Sequence, residues 1–331
     1  MSRTKGEKIK LLKLYEILCN DTDENHPLTT SELCGKLAQE EIECERRTLS
    51  EDVKCLNGHG YEIMSAQKGH NKSYYVADRK FDKYELRILI DAVRAANFIP
   101  PDKTEEFAGK IAALGGSHCA KELSSHAVVF NTHKHSNREI FYTVYAIDRA
   151  LNEGKRINFL YFHLDENLSR VYRHDKTTYT VDPLALVYND DNYYLVAYDP
   201  DTESKRKNFR LDRMEKTEIS DEPVCEHAKN VLLGGDVLEY VRTQVRMYSG
   251  EEKTVVLEFP DDKADIVYDE FGENVSVTRL GDGVLAASVT VQLSPTFFGW
   301  LAQSGGTIRI SSPAEAREKY RAHLAACAEN I

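Results

Sequence analysis

Residues Asp190–Pro200 read DDNYYLVAYDP, a run of aromatic and aliphatic residues between two turn signals. Side chains alternate between the two faces of a β-strand. One face would carry Tyr194, Val196 and Tyr198, and the other Tyr193, Leu195 and Ala197. Because both faces are apolar, the pattern predicts a strand that is covered on both sides. A buried tyrosine hydroxyl needs a hydrogen-bond partner, so we expect Leu195 and Val196 to be core and either Tyr193 or Tyr194 to present its hydroxyl to a ligand.

A cluster of cations follows this strand closely along the chain. Residues 205–213, KRKNFRLDR, hold five basic side chains, namely Lys205, Arg206, Lys207, Arg210 and Arg213. The planar guanidinium group makes paired hydrogen bonds to phosphate and stacks on aromatic rings. Aromatic residues beside arginines are an arrangement with which proteins hold single-stranded nucleic acid. The segment therefore predicts a site for an anionic, phosphate-bearing ligand.

Strand alternation leaves the direction of Arg213 open. Arg210 lies on one face of the predicted strand, and Arg213, three residues further on, lies on the other. Arg213 reaches the side of Arg210 only if a bulge or a turn intervenes. The alternative is a surface ion pair of Arg213 with Asp212 or Glu215.

The regions around this segment predict two α+β domains. Residues 137–225 show one helix, NREIFYTVYAIDRALNEG, and then the strand-like pieces KRINFLYF, SRVYRH, TTYTVDPLALVY, NYYLVAYD and KNFRLDRMEKTEIS. One helix with about five short strands predicts a small, strongly bent sheet or barrel. Residues 251–331 follow the order strand, helix, strand, strand, helix, strand and end in a further helix. This is the order of the split βαβ, ferredoxin-like unit.

Residues 1–80 predict three short helices and a hairpin, with a capping box of Thr29 and Glu32 at the second helix. An apolar face of the third helix is formed by Leu49, Val53 and Leu56. This is the outline of a winged helix-turn-helix, whose third helix enters the major groove of DNA. The predicted DNA contacts are Arg46, Arg47, Thr48, Ser50 and Lys54 on that helix and Lys68 and Lys72 on the wing. In the alternative, these arginines belong to the surface of an ordinary three-helix domain.

Residues 81–136 predict a helical linker. Its apolar stripe of Leu86, Leu89, Ile90 and Val93 suits packing within the chain or dimer formation. The linker also holds a histidine cluster, formed by His118, His126, His133 and His135 with Cys119. A metal-dependent hydrolase would need these histidines as ligands, but His133 and His135 could both reach a metal only in extended geometry and have no evident carboxylate nearby to orient them. We expect no metal and no cofactor.

Composition predicts a globular protein that does not span a membrane, and the motif search predicts no enzyme. The 331 residues carry a net charge of −11 and are 41% hydrophobic. An acidic body does not exclude DNA binding, because a local cluster of cations can still neutralise phosphates. The seven cysteines form no CxxC pair, which predicts free thiols. No catalytic motif such as GxSxG or HExxH occurs, no signal peptide is recognised, and we expect a cytoplasmic protein that is not an enzyme.

These parts, in this order, resemble the bacterial WYL-domain transcriptional regulators. Those proteins join a winged helix-turn-helix, a small Sm-like β-barrel named for a Trp-Tyr-Leu tripeptide, and a C-terminal (WCX) extension. The resemblance covers nearly the whole chain and rests on DPLALVYNDDNYYLVAYDP with NFRLDRM, on CERRTLSEDVKCL, and on FGW with IRISSP. In two places the sequence departs from the family. Tyr193 stands at the tryptophan of the tripeptide, and Glu51 stands on the third helix where relatives often carry a basic residue.

The resemblance implies an α+β multidomain fold. Its parts would be a winged helix-turn-helix at residues 1–80, a helical linker at 81–136, a WYL barrel at 137–225 and a ferredoxin-like extension at 226–331. It also implies that the barrel senses a ligand and that Tyr161 faces this ligand. The predicted ligand site is Tyr161, Tyr193, Tyr194, Lys207, Arg210 and Arg213, with Lys207 at its rim.

Two functions remain open at this point. In the first, a homodimeric transcription factor binds an operator, and a nucleic-acid fragment or nucleotide in the barrel shifts the two DNA-binding units. In the second, an accessory regulator of a nucleic-acid defence effector binds RNA or single strands through the barrel. In the second case the barrel arginines would matter and the N-terminal helix would not.

Overall fold

The computed structural model describes residues 5–125, 134, 136–199, 206–234 and 236–329. The chain divides into two compact units, Met1–Ser136 and Asn137–Ile331. It is a mixed α/β protein of several domains with one curled sheet. Among the described residues, no helix has the length and apolar character that a bilayer crossing requires.

The first part of the N-terminal unit combines three helices with a small antiparallel sheet. Its elements are α1 (Lys5–Asp21), β1 (Leu28–Thr29), α2 (Thr30–Gln39), α3 (Arg46–Gly58), β2 (Ile63–Lys68) and β3 (Asn71–Val76), and the sheet order is β1-β3-β2. The predicted capping box at α2 is present, because Thr29 and Glu32 each accept a hydrogen bond from the other's backbone N–H. Leu49, Val53 and Leu56 of α3 are buried, as their spacing predicted.

Three helices complete this unit: α4 (Lys83–Ala95), α5 (Pro101–Ala113) and α6 (Gly116–Ser125). Their shared core consists of Leu86, Ile90, Ala108, Ala112 and Leu123. Half of the predicted apolar stripe on α4 is therefore used for packing within the unit. Leu89, another member of that stripe, is 38% exposed.

The second unit begins with α7 (Ile140–Glu153) and a curled sheet. The strands are β4 (Lys155–Leu164), β5 (Arg170–Tyr172), β6 (Tyr179–Asn189), β7 (Asn192–Tyr198), β8 (Arg206–Arg210) and β9 (Met214–Pro223). Their order is β5-β4-β6-β7-β8, and β9 also pairs with β4. The long strand β4 thus has three partners along its length, which curls the sheet. The segment KNFRLDRMEKTEIS is two strands instead of the single piece expected, because a 3₁₀ turn at Leu211–Arg213 interrupts it.

Two short helices, α8 (Glu226–Gly234) and α9 (Asp236–Arg242), connect this sheet to a second one. The second sheet carries β10 (Glu251–Pro260), α10 (Ala264–Phe271), β11 (Val277–Gly281), β12 (Val284–Leu293), α11 (Pro295–Gln303), β13 (Arg309–Ser312) and α12 (Ala314–Ala328). Its strand order is β11-β12-β10-β13, with antiparallel neighbours throughout. The element order is the one that alternation predicted for residues 251–331.

Strand β7, which contains the Tyr193–Tyr194 pair, is buried on both faces, as predicted. Tyr194, Val196 and Tyr198 pack against Ala228 and Val231 of α8. Leu195, on the opposite face, is fully buried. Both Leu195 and Val196 therefore belong to the core.

Candidate functional site

A cleft with a volume of about 470 Å³ runs along strand β8. Of the described strands, only β7 pairs with β8, and all five residues of β8 line the cleft. The other described lining residues are Tyr161, Arg173, Tyr179, Tyr194, Arg213, Arg246, Met247, Tyr248 and Ser249. We call the last four of these, Arg246–Ser249, the strap. The cleft therefore lies between the curled sheet and a segment that precedes β10.

The wall of the cleft concentrates positive charge. Six of the fourteen described lining residues are arginine or lysine, four are tyrosine, and none is acidic. The whole chain, in contrast, carries a net charge of −11. A concave surface lined by one sign of charge concentrates ions of the opposite sign, so the cleft favours an anion.

The register between β7 and β8 decides which side chains meet there. Tyr194 pairs directly with Arg210, and direct cross-strand partners lie on the same side of a sheet. Both line the cleft, and Arg213 joins them across the 3₁₀ turn that follows β8. The turn that Arg213 needs in order to reach the side of Arg210 is thus present. Neither acid considered as a surface partner of Arg213 forms an ion pair with it among the described residues.

Tyr161 is almost fully buried, with 7% of its surface exposed. Its Oη accepts a hydrogen bond from the backbone N–H of Arg210 at 3.1 Å. The guanidinium group of Arg173 lies 5.4 Å from the ring centroid, within the range of a cation–π contact. Burial raises the pKa of the Tyr161 phenol, although the Arg210 hydrogen bond and the charge of Arg213 oppose this. The hydroxyl therefore keeps its proton at neutral pH and can donate it.

Two of the predicted cations are held by carboxylates. The Nε and Nη2 atoms of Arg210 lie 3.0 Å from the two carboxylate oxygens of Asp212, and Nη2 also donates to Asn192 Oδ1 at 2.8 Å. Burial disfavours the charged form of Arg210, but the contacts with Asp212 outweigh it and the pKa is raised. Lys207 is paired with Asp199 at 2.8 Å. These two cations are positioned in advance but partly neutralised.

Arg173 and Arg213 differ from Arg210 in this respect. Among the described residues, neither forms an ion pair, yet both line the cleft beside Tyr161. An arginine without a carboxylate partner keeps its full positive charge for a ligand. We therefore expect these two to contribute most to anion binding.

Tyr193 and Tyr194, the two tyrosines at the tripeptide position, lie on opposite faces of β7. Tyr194 lines the cleft and is 8% exposed, and burial raises its pKa. Tyr193 lies on the other face, where its ring centroid is 5.1 Å from that of Tyr188. It is not among the lining residues. The geometry thus supports Tyr194 and not Tyr193 as the tyrosine that meets a ligand.

Sequence reasoning missed several lining residues. Arg173 and Tyr179 lie in strand-like pieces whose mixture of cations and tyrosines offered a weak signal. Arg206 belongs to the recognised cationic run but was not assigned to the site. The strap lies beyond the predicted barrel, and nothing in its sequence marks it as part of a ligand site.

The N-terminal unit presents a second set of predicted residues. Arg46, Arg47 and Lys54 are exposed on α3, and none of them forms an ion pair among the described residues. Arg47 and Lys54 stand seven residues apart and so share one face of the helix, opposite the buried leucines. The exposed Glu51 lies between them on that face.

The remaining predicted DNA contacts are engaged locally. Thr48 Oγ1 donates to the carbonyl oxygen of Glu45 at 2.8 Å. Ser50 Oγ accepts from the hydroxyl of Tyr74 at 3.1 Å, which ties α3 to β3. On the hairpin, Lys68 and Lys72 are exposed. Lys72 Nζ lies 5.1 Å from the centroid of the Tyr74 ring.

Part of the histidine cluster lies outside the described residues, namely His126, His133 and His135. His118 stacks on His26, with ring centroids 3.8 Å apart and planes 2° from parallel, near Asp23. The ligating lone pair of an imidazole lies in its ring plane, so two parallel stacked rings do not direct their lone pairs at one ion. We assign no metal to this group.

Comparison with known proteins identifies two domains. A WYL domain matches residues 143–219, and a WCX domain matches residues 251–328. No curated protein matches the chain. Among solved structures, proteasome accessory factor B/C (PafBC) of Arthrobacter aurescens is 22% identical, with a TM-score of 0.28 over 96% of this chain and 48% of that chain. The chain thus spans about half the length of PafBC.

A second solved structure, described as a CRISPR Cas-related protein, is 12% identical, with a TM-score of 0.35 over 92% of this chain and 78% of that chain. Neither likeness bears on function at these values. The domain matches agree with the residues that carried the resemblance, since Tyr193, Tyr194 and Leu195 lie within the first matched range. The chain thus contains a WYL domain, which is followed by a WCX domain.

Proposed function

We propose that this protein is a DNA-binding transcriptional regulator whose WYL domain senses an anionic ligand, either a nucleic-acid fragment or a nucleotide. The observation that carries the proposal is the cleft along β8, whose described lining residues include six cations and four tyrosines in an acidic chain. Arginine forks bind phosphate, and tyrosine rings stack on bases. A volume of about 470 Å³ is in the range of ligand sites. The proposal assigns the chain a binding role and no catalytic one.

The DNA-reading part of the proposal is assigned to the N-terminal unit. We take the three helices and the three-stranded sheet of residues 5–76 as a winged helix-turn-helix with α3 as its recognition helix. Exposed Arg46, Arg47 and Lys54 support this assignment. We further take the curled sheet as the Sm-like barrel and the second sheet as the ferredoxin-like extension. In this proposal the protein acts as a cytoplasmic homodimer, and a ligand in the cleft changes its affinity for an operator.

Duplex selection tests the DNA-reading assignment. The full chain is incubated with a pool of random duplexes, and the selected duplex is titrated against the wild type and the R46A/R47A variant. We expect the affinity of the variant to fall at least tenfold, because a good arginine–base contact contributes about 1–3 kcal/mol. The matched control is K110A/K121A, which removes two exposed cations from α5 and α6. Equal affinities of R46A/R47A and wild type would overturn the role of α3.

The R46A/R47A variant, together with R213Q, distinguishes the transcriptional regulator from the second candidate function. Here the probe is a fluorescein-labelled, 5′-phosphorylated oligothymidylate of about twelve nucleotides, a length within the range of single-strand binding folds. An accessory protein of a nucleic-acid defence effector would use only its barrel. It should bind the probe more weakly in R213Q, and it should show no duplex binding that R46A/R47A could lose. The transcriptional regulator shows both losses, each in its own variant.

A further inference from the structure

The strap lies outside both matched domains and yet forms one wall of the cleft. The WYL domain ends at residue 219 and the WCX domain begins at residue 251, whereas Arg246–Ser249 are four consecutive lining residues. Only Gly250 separates the strap from β10, the first strand of the second sheet. A ligand in the cleft would therefore contact the segment that leads directly into the WCX domain.

Hydrogen bonds tie the strap region to β8 on one side. The side-chain amide of Asn208, in the middle of β8, donates to Gln244 Oε1 at 2.8 Å and to the carbonyl oxygen of Met247 at 2.7 Å. Met247 also belongs to the same buried core as Tyr194 and Val196, and only 4% of it is exposed. A displacement of the strap would thus change contacts of the strand that forms the cleft.

A second set of hydrogen bonds ties the same region to the WCX domain. Gln292 of β12 donates its backbone N–H to the carbonyl oxygen of Thr243 at 2.7 Å, and its Oε1 accepts from the N–H of Gly250 at 3.1 Å. Thr296 of α11 donates its hydroxyl to the carbonyl oxygen of Val245 at 2.8 Å. The strap is therefore bracketed by contacts with both domains.

The backbone of the strap holds Arg246 away from the core. Arg246 and Met247 have φ values of 52° and 59°, a left-handed conformation that two consecutive residues with side chains rarely adopt. Buried Val245 and Met247 anchor the chain on either side of Arg246. This conformation exposes 62% of the Arg246 side chain.

Arg246 is paired with a carboxylate of the WYL domain. Arg246 Nε lies 3.7 Å from Oδ2 of Asp190, in the turn between β6 and β7. Burial raises the pKa of Glu270 on α10, and so does Asp190, whereas Arg246 lowers it. Arg246 thus has an ion-pair partner in the WYL domain, and its charge also acts on a carboxylate of the WCX domain.

We propose that Arg246 is a ligand-contacting residue supplied from outside the WYL domain, and that the strap transmits occupancy of the cleft to the WCX domain. An anionic group in the cleft replaces Asp190 as the partner of Arg246. The strap then moves with Arg246 and changes its hydrogen bonds to β12 and α11. This inference rests on the proposed anionic ligand and adds the route by which its binding is reported.

The experiment uses the full chain and the oligothymidylate probe described above, with two readouts. Affinity is measured by fluorescence anisotropy, and hydrogen exchange is followed by mass spectrometry in β8 and in β12 with and without probe. In the wild type we expect the probe to alter exchange in both strands. R246Q should bind about fivefold more weakly at about 0.1 M salt, because one phosphate contact contributes about 0.7 to the salt slope for single strands. In R246Q the probe should still alter exchange in β8 but not in β12.

Two further variants complete the design. D190N removes the competing carboxylate and should raise the affinity for the probe about twofold or more. R279Q removes an equally exposed arginine from β11 of the WCX domain and should leave both readouts at wild-type values. An unaltered affinity of R246Q, or a persisting response in β12, would overturn the inference while leaving the proposed ligand site intact. Failure of the wild type to bind the probe would overturn the proposed function and this inference together.

Discussion

Removing Arg210 should destabilise the curled sheet itself, because this arginine balances a buried carboxylate. The Arg210 side chain is 26% exposed and that of Asp212 is 9% exposed, and two hydrogen bonds of 3.0 Å join them. Breaking a fully buried pair by removing one partner costs about 3–5 kcal/mol. Water reaches a quarter of this guanidinium, so we expect R210Q to lower the free energy of unfolding by about 2 kcal/mol.

The double variant R210Q/D212N separates the charge imbalance from the loss of packing. Replacing both partners leaves no uncompensated charge, so stability should return to within about 1 kcal/mol of the wild type. A loss of 2 kcal/mol corresponds to roughly thirtyfold faster exchange of amides in β7 and β8, provided that exchange follows local opening. Hydrogen exchange with mass spectrometry measures this directly. No recovery in the double variant would refute the ion-pair reasoning, and so would an R210Q variant that exchanges at the wild-type rate.

Three other perturbations have expected outcomes. Burial, together with the neighbouring Cys44, raises the pKa of the Cys34 thiol to about 11. At pH 8 the reactive thiolate of Cys34 is therefore scarce, and alkylation of Cys34 should be at least about tenfold slower than that of a cysteine in an unstructured peptide. Mass spectrometry of the alkylated protein measures this rate. Gly154 ends α7 at a φ of 64°, so G154A should lower the thermal midpoint through a loss of about 1 kcal/mol. Leu195 is fully buried, so L195A should reduce the free energy of urea unfolding by about 2–5 kcal/mol.

The elements with strong periodicity were predictable from the sequence. The apolar spacing of Leu49, Val53 and Leu56 indicated α3, and the alternation around Leu195 indicated β7 with its two covered faces. The order of strands and helices after residue 251 also followed from alternation and turn residues. In these segments local preference and tertiary packing agree.

Features that depend on tertiary contacts were not predictable in the same way. The 3₁₀ turn at Leu211–Arg213 contains neither glycine nor proline, so no turn signal marked the division of β8 from β9. Alternation placed Tyr193 and Tyr194 on opposite faces, but which of them meets Arg210 depends on the register of β7 with β8. The strap adopts left-handed backbone angles at residues with side chains, and only its buried neighbours explain them.

The central claim is that the cleft binds phosphate-bearing ligands through its arginines, above all Arg173 and Arg213. The most direct measurement is the salt dependence of oligothymidylate affinity for the wild type, R173Q/R213Q and the control R321Q, which removes an exposed arginine from α12. We expect the slope of log affinity against log salt to become shallower by about 1.4 in the double variant, about 0.7 for each phosphate that is no longer neutralised, and to stay unchanged in R321Q. Equal slopes and equal affinities in R173Q/R213Q and the wild type would contradict the account.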